Sequence, residues 1–167
     1  MKAFEAVTSD ESGTRVAGRA LGAVVGPGDV VLLCGDLGAG KTVLAKGLAE
    51  ELGVAEPVTS PTFNILLMHE GRLPLYHFDL YRLDRADMLE DVDYFGTIEA
   101  DGVALVEWGD RFVEAEPPQG LLVTITIEGD RVRRIHVEPK GPRGEALLAA
   151  WFDRCRGIDE ITAEPVR

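Results

Sequence analysis

The stretch GDLGAGKT, residues 35–42, constrains this chain more than any other feature. It matches the pattern G-x-x-x-x-G-K-[ST], in which glycines let the backbone wrap around phosphate oxygens with its N–H groups pointing inward. The lysine of such a loop reaches the β- and γ-phosphates, and the following hydroxyl ligates Mg²⁺. The apolar run VVLLC precedes the loop and a helical pattern follows from about Lys41 to Leu52, as the motif requires. The sequence therefore predicts a phosphate-binding loop formed by Gly35, Asp36, Leu37, Gly38, Ala39, Gly40, Lys41, Thr42 and Val43.

Helical and extended patterns alternate along the chain, and two segments have the form of β-hairpins. The first is TFNILLMHEGRLPLYHFDLYRL, which turns at HEGR, and the second is LLVTITIEGDRVRRIHVEP, which turns at Gly129-Asp130. This mixture predicts an α/β, P-loop NTPase-type three-layer fold with a mixed sheet and β-hairpin insertions. A length of 167 residues is enough for one domain, so we expect residues 1–157 to form a single domain and residues 158–167 a frayed polar tail.

The charge balance and the cysteine count exclude several classes of protein. A formal net charge of −12 would repel phosphate backbones, so the chain is not expected to bind nucleic acid over a broad surface by itself. Two distant cysteines, Cys34 and Cys155, form neither a disulfide framework nor a zinc-binding pattern. The sequence has no signal peptide at its start and no apolar run of membrane-spanning length. We predict a cytoplasmic protein that does not associate with a membrane.

Two carboxylates stand where predicted strands end. Glu107 follows four apolar residues in VALVE, and Asp79 ends LPLYHFD. A phosphate-binding loop of this kind needs an acid at the end of a neighbouring strand to hold Mg²⁺ or to orient water. We predict that Lys41, Asp79 and Glu107 are catalytic, and that Thr42, Asp79 and Glu107 serve the metal. The sequence does not divide the two roles between the two acids.

Other residues between these motifs allow two interpretations each. Thr59, Ser60 and Thr62 lie in VTSPTF and can either sense a γ-phosphate, as switch segments do, or form a Ser-Pro turn. His77 alternates with Tyr76 and Phe78, which favours a packed histidine over a catalytic one.

The absence of a guanine-reading Asn-Lys-x-Asp motif, in a chain whose only asparagine is Asn64, favours ATP over GTP. The alternative function is a small-metabolite kinase of the same loop class, although Arg82, Arg85 and Arg111 are scattered rather than gathered in a lid. A module that senses a nucleotide without hydrolysing it would lack a working acid, and Asp79 and Glu107 argue against it.

Four stretches in this order, GDLGAGKT, SPTF, YHFDLYRL and VEW, together with DYF at residues 93–95, resemble the TsaE family (formerly YjeE). The members of that family are bacterial P-loop ATPases needed for tRNA threonylcarbamoyladenosine synthesis. The resemblance covers roughly Asp10 to Trp108.

The resemblance implies a cofactor, partners and residue roles. A member binds MgATP, hydrolyses it slowly alone, and acts on a complex of TsaB and TsaD, so that tRNA is reached only through the complex. By position, Lys41 and the loop amides would bind phosphates, Thr42 would ligate Mg²⁺, and Asp79 and Glu107 would serve metal and water. Thr59, Ser60 and Thr62 would form the switch-like segment, and Thr8 and Thr14 would lie near the nucleotide.

Overall fold

The computed structural model describes residues 1–59 and 65–167. Within them, strands and helices alternate much as the sequence predicts. The strands are β1 (Ala3–Thr8), β2 (Val30–Cys34), β3 (Leu66–His69), β4 (Leu75–Asp79), β5 (Val103–Glu107), β6 (Gly120–Ile127), β7 (Arg133–Lys140) and β8 (Ile161–Val166). The α-helices are α1 (Glu11–Gly22), α2 (Lys41–Glu51), α3 (Met88–Asp91), α4 (Tyr94–Ile98) and α5 (Gly141–Arg156).

All eight strands belong to one sheet in the order β3-β4-β5-β2-β6-β7-β1-β8. β4, β5, β2 and β6 run parallel to one another, whereas β3, β7, β1 and β8 pair antiparallel with their neighbours. Parallel strands have their carboxyl ends at the same edge of a sheet. The end of β2, which leads into the glycine loop, therefore lies beside the ends of β4 and β5, where Asp79 and Glu107 stand. The predicted α/β fold with a mixed sheet and hairpins is confirmed.

Helices cover the two faces of the sheet unequally. The larger core joins α1, α2 and α5 to one face, with Leu21, Leu48 and Trp151 among its buried side chains. The smaller core covers the opposite face of β4, β5 and β2 and contains Phe78 of β4 and Tyr94 of α4. Burial of apolar area on both faces explains why β2, β4 and β5 are buried along their whole lengths. None of the helices in the described ranges is long and apolar enough to cross a bilayer.

Helices α1 and α2 pack closely because glycine stands at their contact. A Cβ atom at Gly47 would lie 2.0 Å from the carbonyl oxygen of Arg15, and one at Gly18 would lie 2.2 Å from that of Leu44. The absence of side chains at these two positions lets the backbones approach. This contact holds the helix that follows the glycine loop against the helix that precedes β2.

The C-terminal segment differs from the prediction of a frayed tail. Residues 161–166 form β8, which pairs antiparallel with β1 from Ala3↔Val166 to Thr8↔Ile161. The strand is an edge strand whose side chains are mostly exposed, with Ile161 buried against the core. An edge strand tolerates proline and polar residues, so Pro165 and its polar neighbours give this strand the composition of a tail.

Candidate functional site

The glycine loop joins β2 to α2 through backbone conformations that glycine alone adopts readily. Gly38 and Gly40 have φ values of 81° and 107°, in the left-handed region that side chains disfavour. Gly40 is the N-cap of α2, and no side chain caps the helix there. The free N–H groups of the first helical turn are therefore available to an anion at this end of α2.

Lys41 is buried although it is a lysine, with only 6% of its surface exposed. Its Nζ donates hydrogen bonds to the carbonyl oxygens of Gly35, at 2.5 Å, and Asp36, at 3.1 Å. The same ammonium lies 4.3 Å from the centroid of the Trp108 ring, within range of a cation–π interaction. The positive charge is thus directed along the inner side of the loop rather than into solvent.

Trp108 takes an uncommon backbone conformation to reach this position. Its φ is 57°, in the left-handed region that a bulky residue rarely occupies. The residue follows the end of β5, and its ring packs against Tyr81 with 4.9 Å between ring centroids. Strained torsions of this kind concentrate at functional sites. Trp108 lines the cleft together with Lys41.

Asp79 and Glu107 are register partners across the parallel pair β4–β5, and Glu107 is in turn the register partner of Leu33 in β2. Both carboxylates are buried, with 7% and 3% of their surfaces exposed. Successive strands lie about 4.8 Å apart, so Glu107 is one strand from β2 and Asp79 is two. The sheet therefore brings together the two acids that the sequence predicts for the metal.

Glu107 has a buried partner in His77. The Nε2 atom of His77 lies 2.7 Å from Oε2 of Glu107, and the imidazole is completely buried. An ionised carboxylate only accepts hydrogen bonds, so Nε2 carries the proton and donates. Nδ1 of His77 has no hydrogen-bond partner within the described residues. The histidine that the sequence assigns to simple packing thus contacts a predicted catalytic acid.

The environment of Asp79 perturbs its acidity. Burial raises the pKa of the Asp79 carboxyl, and the nearby negative charge of Glu107 raises it further. The backbone N–H of Tyr81, which donates to Oδ1 at 3.0 Å, opposes the shift, as do His77 and Arg82. The net shift is upward, which is the expected behaviour of a carboxylate held in a poorly solvated cleft beside another carboxylate.

Loop, acids and aromatic residues line one open cleft of about 1090 Å³. The loop contributes the segment from Leu37 to Val43, including Lys41 and Thr42. The facing wall is formed by side chains at and after the ends of β4 and β5: Asp79, Tyr81, Arg82, Asp84, Glu107, Trp108 and Arg111. A cleft of this size with convergent polar groups is the usual form of a small-molecule site.

A family model described as "Threonylcarbamoyl adenosine biosynthesis protein TsaE" matches residues 8–135. The chain belongs to the TsaE family. The matched range contains the glycine loop, both acids and the first residues of β7, so the candidate site lies entirely within the family's shared region.

Individual TsaE proteins and a solved structure are also similar to the chain. It is 40% identical over 148 residues to the tRNA threonylcarbamoyladenosine biosynthesis protein TsaE of Bacillus subtilis, covering 88% of this chain and 92% of that protein. The protein of the same name from Streptomyces coelicolor is 42% identical over 137 residues, covering 77% and 92%. The crystal structure of Bacillus subtilis YdiB superposes with a TM-score of 0.76 at 36% identity, covering 90% of this chain and 94% of that one.

A second cleft, of about 540 Å³, lies on the other side of the glycine loop from the acids. It is lined by the start of α1, by the loop and by the turn between β6 and β7, with Thr14 and Arg133 among its side chains. Thr14 lines this cleft beside Gly38 and Gly40, and its Oγ1 shares a hydrogen bond of 2.7 Å with that of Thr8. The proximity of both threonines to a nucleotide, which the resemblance to TsaE implies, stays a prediction. Thr8 itself is completely buried behind Thr14.

The switch-like segment is only partly within the described residues. Thr59 is exposed and lines a separate groove with Arg15 and Lys46, away from the cleft that holds the acids. Ser60 and Thr62 lie outside the described residues. The role that the TsaE resemblance implies for these three side chains stays a prediction.

The oxygen donors around the cleft suit a magnesium ion that substrate phosphates help to bind. They do not suit a metal ion bound by protein side chains alone. No group of three or more His, Cys, Asp or Glu side chains is arranged to hold a metal in the described parts of the chain. Magnesium is usually bound by one or two carboxylates together with substrate phosphates and water. Thr42, Asp79 and Glu107 line the same cleft as the loop and supply oxygen donors of that kind.

The sequence prediction did not include two residues around the site, His77 and Arg133, for different reasons. His77 and Asp79 stand two positions apart in a strand, with only Phe78 between them, so they share a face, and this spacing was a usable signal. Arg133 contacts the glycine loop at Ala39, which is 94 residues away in the sequence. No local sequence pattern indicates a contact between residues so far apart.

Proposed function

We propose that this protein binds MgATP and hydrolyses it in support of tRNA N6-threonylcarbamoyladenosine modification. One observation carries the proposal. A buried lysine, Lys41, lies in a G-x-x-x-x-G-K-T loop, and two buried carboxylates line the same cleft. A phosphate-binding loop with an internal lysine recruits a polyphosphate, and acids beside it are what hydrolysis requires.

Hydrolysis is an in-line attack of water on the γ-phosphate. A bond forms between the water oxygen and the γ-phosphorus while the bond to the bridging oxygen breaks, and ADP and inorganic phosphate leave. The ammonium of Lys41 and the loop N–H groups stabilise the charge on the phosphate oxygens. A carboxylate beside the γ-phosphate orients the water and accepts its proton.

Magnesium is the cofactor of this proposal. Thr42 and a carboxylate of the cleft would hold it, and when bound it supplies positive charge beside the β- and γ-phosphates. The order of strands supports a division of the acid roles. Glu107 ends β5, which pairs directly with the loop strand β2, and we assign it to the metal. Asp79, one strand further away, serves the attacking water.

ATP is the proposed nucleotide because the chain has no guanine-reading motif. The proposed partners are TsaB and TsaD, which follow from membership of the TsaE family. tRNA is contacted only through their complex, which agrees with the net charge of −12. The proposed location is the cytoplasm, where tRNA is modified in bacteria.

The direct test is ATP hydrolysis with Mg²⁺, measured with and without purified TsaB and TsaD, with tRNA added last. We expect a slow rate alone and a strong increase with the complex. Glu107→Gln is expected to raise the Mg²⁺ concentration needed for half-maximal rate. Asp79→Asn is expected to keep that requirement and lower kcat. If both variants hydrolyse ATP like the parent protein, the assignment of the acids is wrong.

One observation keeps the kinase alternative open. Arg82 and Arg111 both line the cleft opposite the loop, where arginines could neutralise a phosphoryl group in transfer. A kinase would consume ATP in proportion to an added small alcohol or acid and would ignore TsaB and TsaD. The same assay with a panel of such acceptors therefore separates the two functions.

A further inference from the structure

Arg133 reaches the glycine loop from the other side of the molecule. It is the first residue of β7, where its register partners are Ile127 in β6 and Thr8 in β1. Its Nε donates a 3.0 Å hydrogen bond to the carbonyl oxygen of Ala39, and Nη2 lies 3.4 Å from that of Gly38. Both acceptors belong to the loop that is predicted to hold phosphates.

The same guanidinium also holds the turn from which it projects. Nη1 donates to the carbonyl oxygens of Gly129 and Val132, each at 3.0 Å, and lies 3.4 Å from that of Asp130. Each of these contacts of Arg133 goes to a main-chain carbonyl. The rigid, planar fork of an arginine can satisfy several acceptors in fixed directions, which a lysine cannot do.

We infer that Arg133 is a positioning residue that fixes the conformation of the phosphate-binding loop by tying it to the β6–β7 turn. The expected consequence is tighter nucleotide binding, and this part of the inference rests on the proposed function. Its physical basis is the planarity of the peptide bond. When Arg133 fixes the carbonyl of Ala39, the N–H of Gly40 in the same trans peptide must point the opposite way, away from Arg133.

The loop needs an external restraint of this kind because its glycines are conformationally permissive. Gly38 and Gly40 each have many accessible torsions, and ordering them on nucleotide binding costs conformational entropy. A loop that Arg133 has already ordered loses less entropy when a phosphate arrives. Arg133 therefore acts on affinity through the loop and without itself contacting the phosphate.

The chain offers a matched control for a test. Arg131 lies in the same turn, lines the same 540 Å³ cleft and carries the same charge. It contributes none of the hydrogen bonds described for Arg133. Arg133→Met and Arg131→Met thus remove equal charge from one place, and only the first releases the loop. Arg133→Lys keeps the charge and removes the fork.

The first measurement uses ¹⁵N relaxation of the full chain without nucleotide, followed at the amides of Gly38, Ala39 and Gly40. Rigid amides have order parameters near 0.85 and flexible ones fall below about 0.6. We expect the parent protein and Arg131→Met to stay near the rigid value, and Arg133→Met and Arg133→Lys to fall toward the flexible one. Unchanged loop order in both Arg133 variants would overturn the inference.

The second measurement is the Kd for MgADP by calorimetry. We expect Arg133→Met and Arg133→Lys to bind about tenfold more weakly, because the loop must then be ordered when the nucleotide binds, and Arg131→Met to change Kd by less than about twofold. Restored affinity in Arg133→Lys would overturn the inference in favour of a simple charge effect. If the parent protein does not bind MgADP, the proposed function fails, while the relaxation data still decide whether Arg133 orders the loop.

Discussion

Nε2 of His77 donates a hydrogen bond to Oε2 of Glu107 across 2.7 Å, between two buried side chains on neighbouring strands. A carboxylate that binds a metal is usually oriented by such a partner, and loss of the partner costs about 10–100-fold in metal affinity or activity. The pair therefore restrains the orientation of the Glu107 carboxylate, which lines the cleft.

Replacement of His77 should impair hydrolysis because it releases Glu107. We expect His77→Leu, like Glu107→Gln, to raise the Mg²⁺ concentration needed for half-maximal rate, and to lower the rate of ATP hydrolysis at limiting Mg²⁺ by about tenfold or more. His77→Gln carries an amide N–H at a similar distance from the backbone and should restore part of the rate. Equal losses in the Gln and Leu variants would mean that His77 contributes packing alone.

Removal of the loop lysine should weaken nucleotide binding and abolish hydrolysis. Lys41→Ala deletes the ammonium that lies against the loop carbonyls, and charge-assisted hydrogen bonds to phosphate are worth about 1.5–3 kcal/mol each. We expect at least a tenfold rise in the Kd for MgATP and no measurable hydrolysis. Lys46→Ala, on the same helix and not in the cleft, is the control and should bind like the parent protein.

Because Asp79 carries a buried carboxyl group, the parent protein should be less stable at neutral pH than the Asp79→Asn variant. The folded-state pKa of Asp79 is raised, so the folded protein binds the proton more tightly than the unfolded chain does. The destabilisation is absent below the unfolded pKa, about 4, and complete above the raised folded pKa. We therefore expect Asp79→Asn to have a higher Tm than the parent protein at pH 7, with a difference that shrinks toward pH 4. A Tm difference that is constant with pH would contradict this origin.

The contact between α1 and α2 should tolerate no side chain at Gly47. The new Cβ of Gly47→Ala would lie 2.0 Å from the carbonyl oxygen of Arg15, so the helices must separate. Overpacking of this kind costs about 1–3 kcal/mol or more, which urea unfolding will measure. Gly129→Ala is the control, because its nearest neighbour would be 3.7 Å away. A fully stable Gly47→Ala protein would show that the helices can separate without cost.

The C-terminal strand should contribute to stability although its composition resembles that of a tail. Truncation after residue 157 removes β8, uncovers the edge of β1 and exposes the core around Ile161. Burial of an isoleucine side chain contributes about 1.5–3 kcal/mol, and we expect a loss of at least that size in urea unfolding. Deletion of Arg167 alone, which lies beyond the strand, should change nothing. If both truncated chains are equally stable, residues 158–167 contribute nothing to stability, as expected for a frayed tail.

The sequence alone determined those features that depend on neighbouring residues. The glycine pattern, the apolar strand before it and the helix after it specify the loop, because torsional freedom and side-chain periodicity are local properties. The two hairpins and the buried strand that ends in Glu107 were predictable for the same reason. The candidate acids followed from the chemistry that such a loop needs.

The tertiary structure decided which of these local elements meet. The strand order makes Asp79 and Glu107 neighbours and places His77 within hydrogen-bond distance of Glu107. It also brings Arg133 to the carbonyl of Ala39, 94 residues earlier in the chain. It also turns the polar C-terminal residues into an edge strand on β1. These contacts depend on pairing between distant strands, and that pairing is selected by burial of the whole sheet between its helices rather than by any short stretch of sequence.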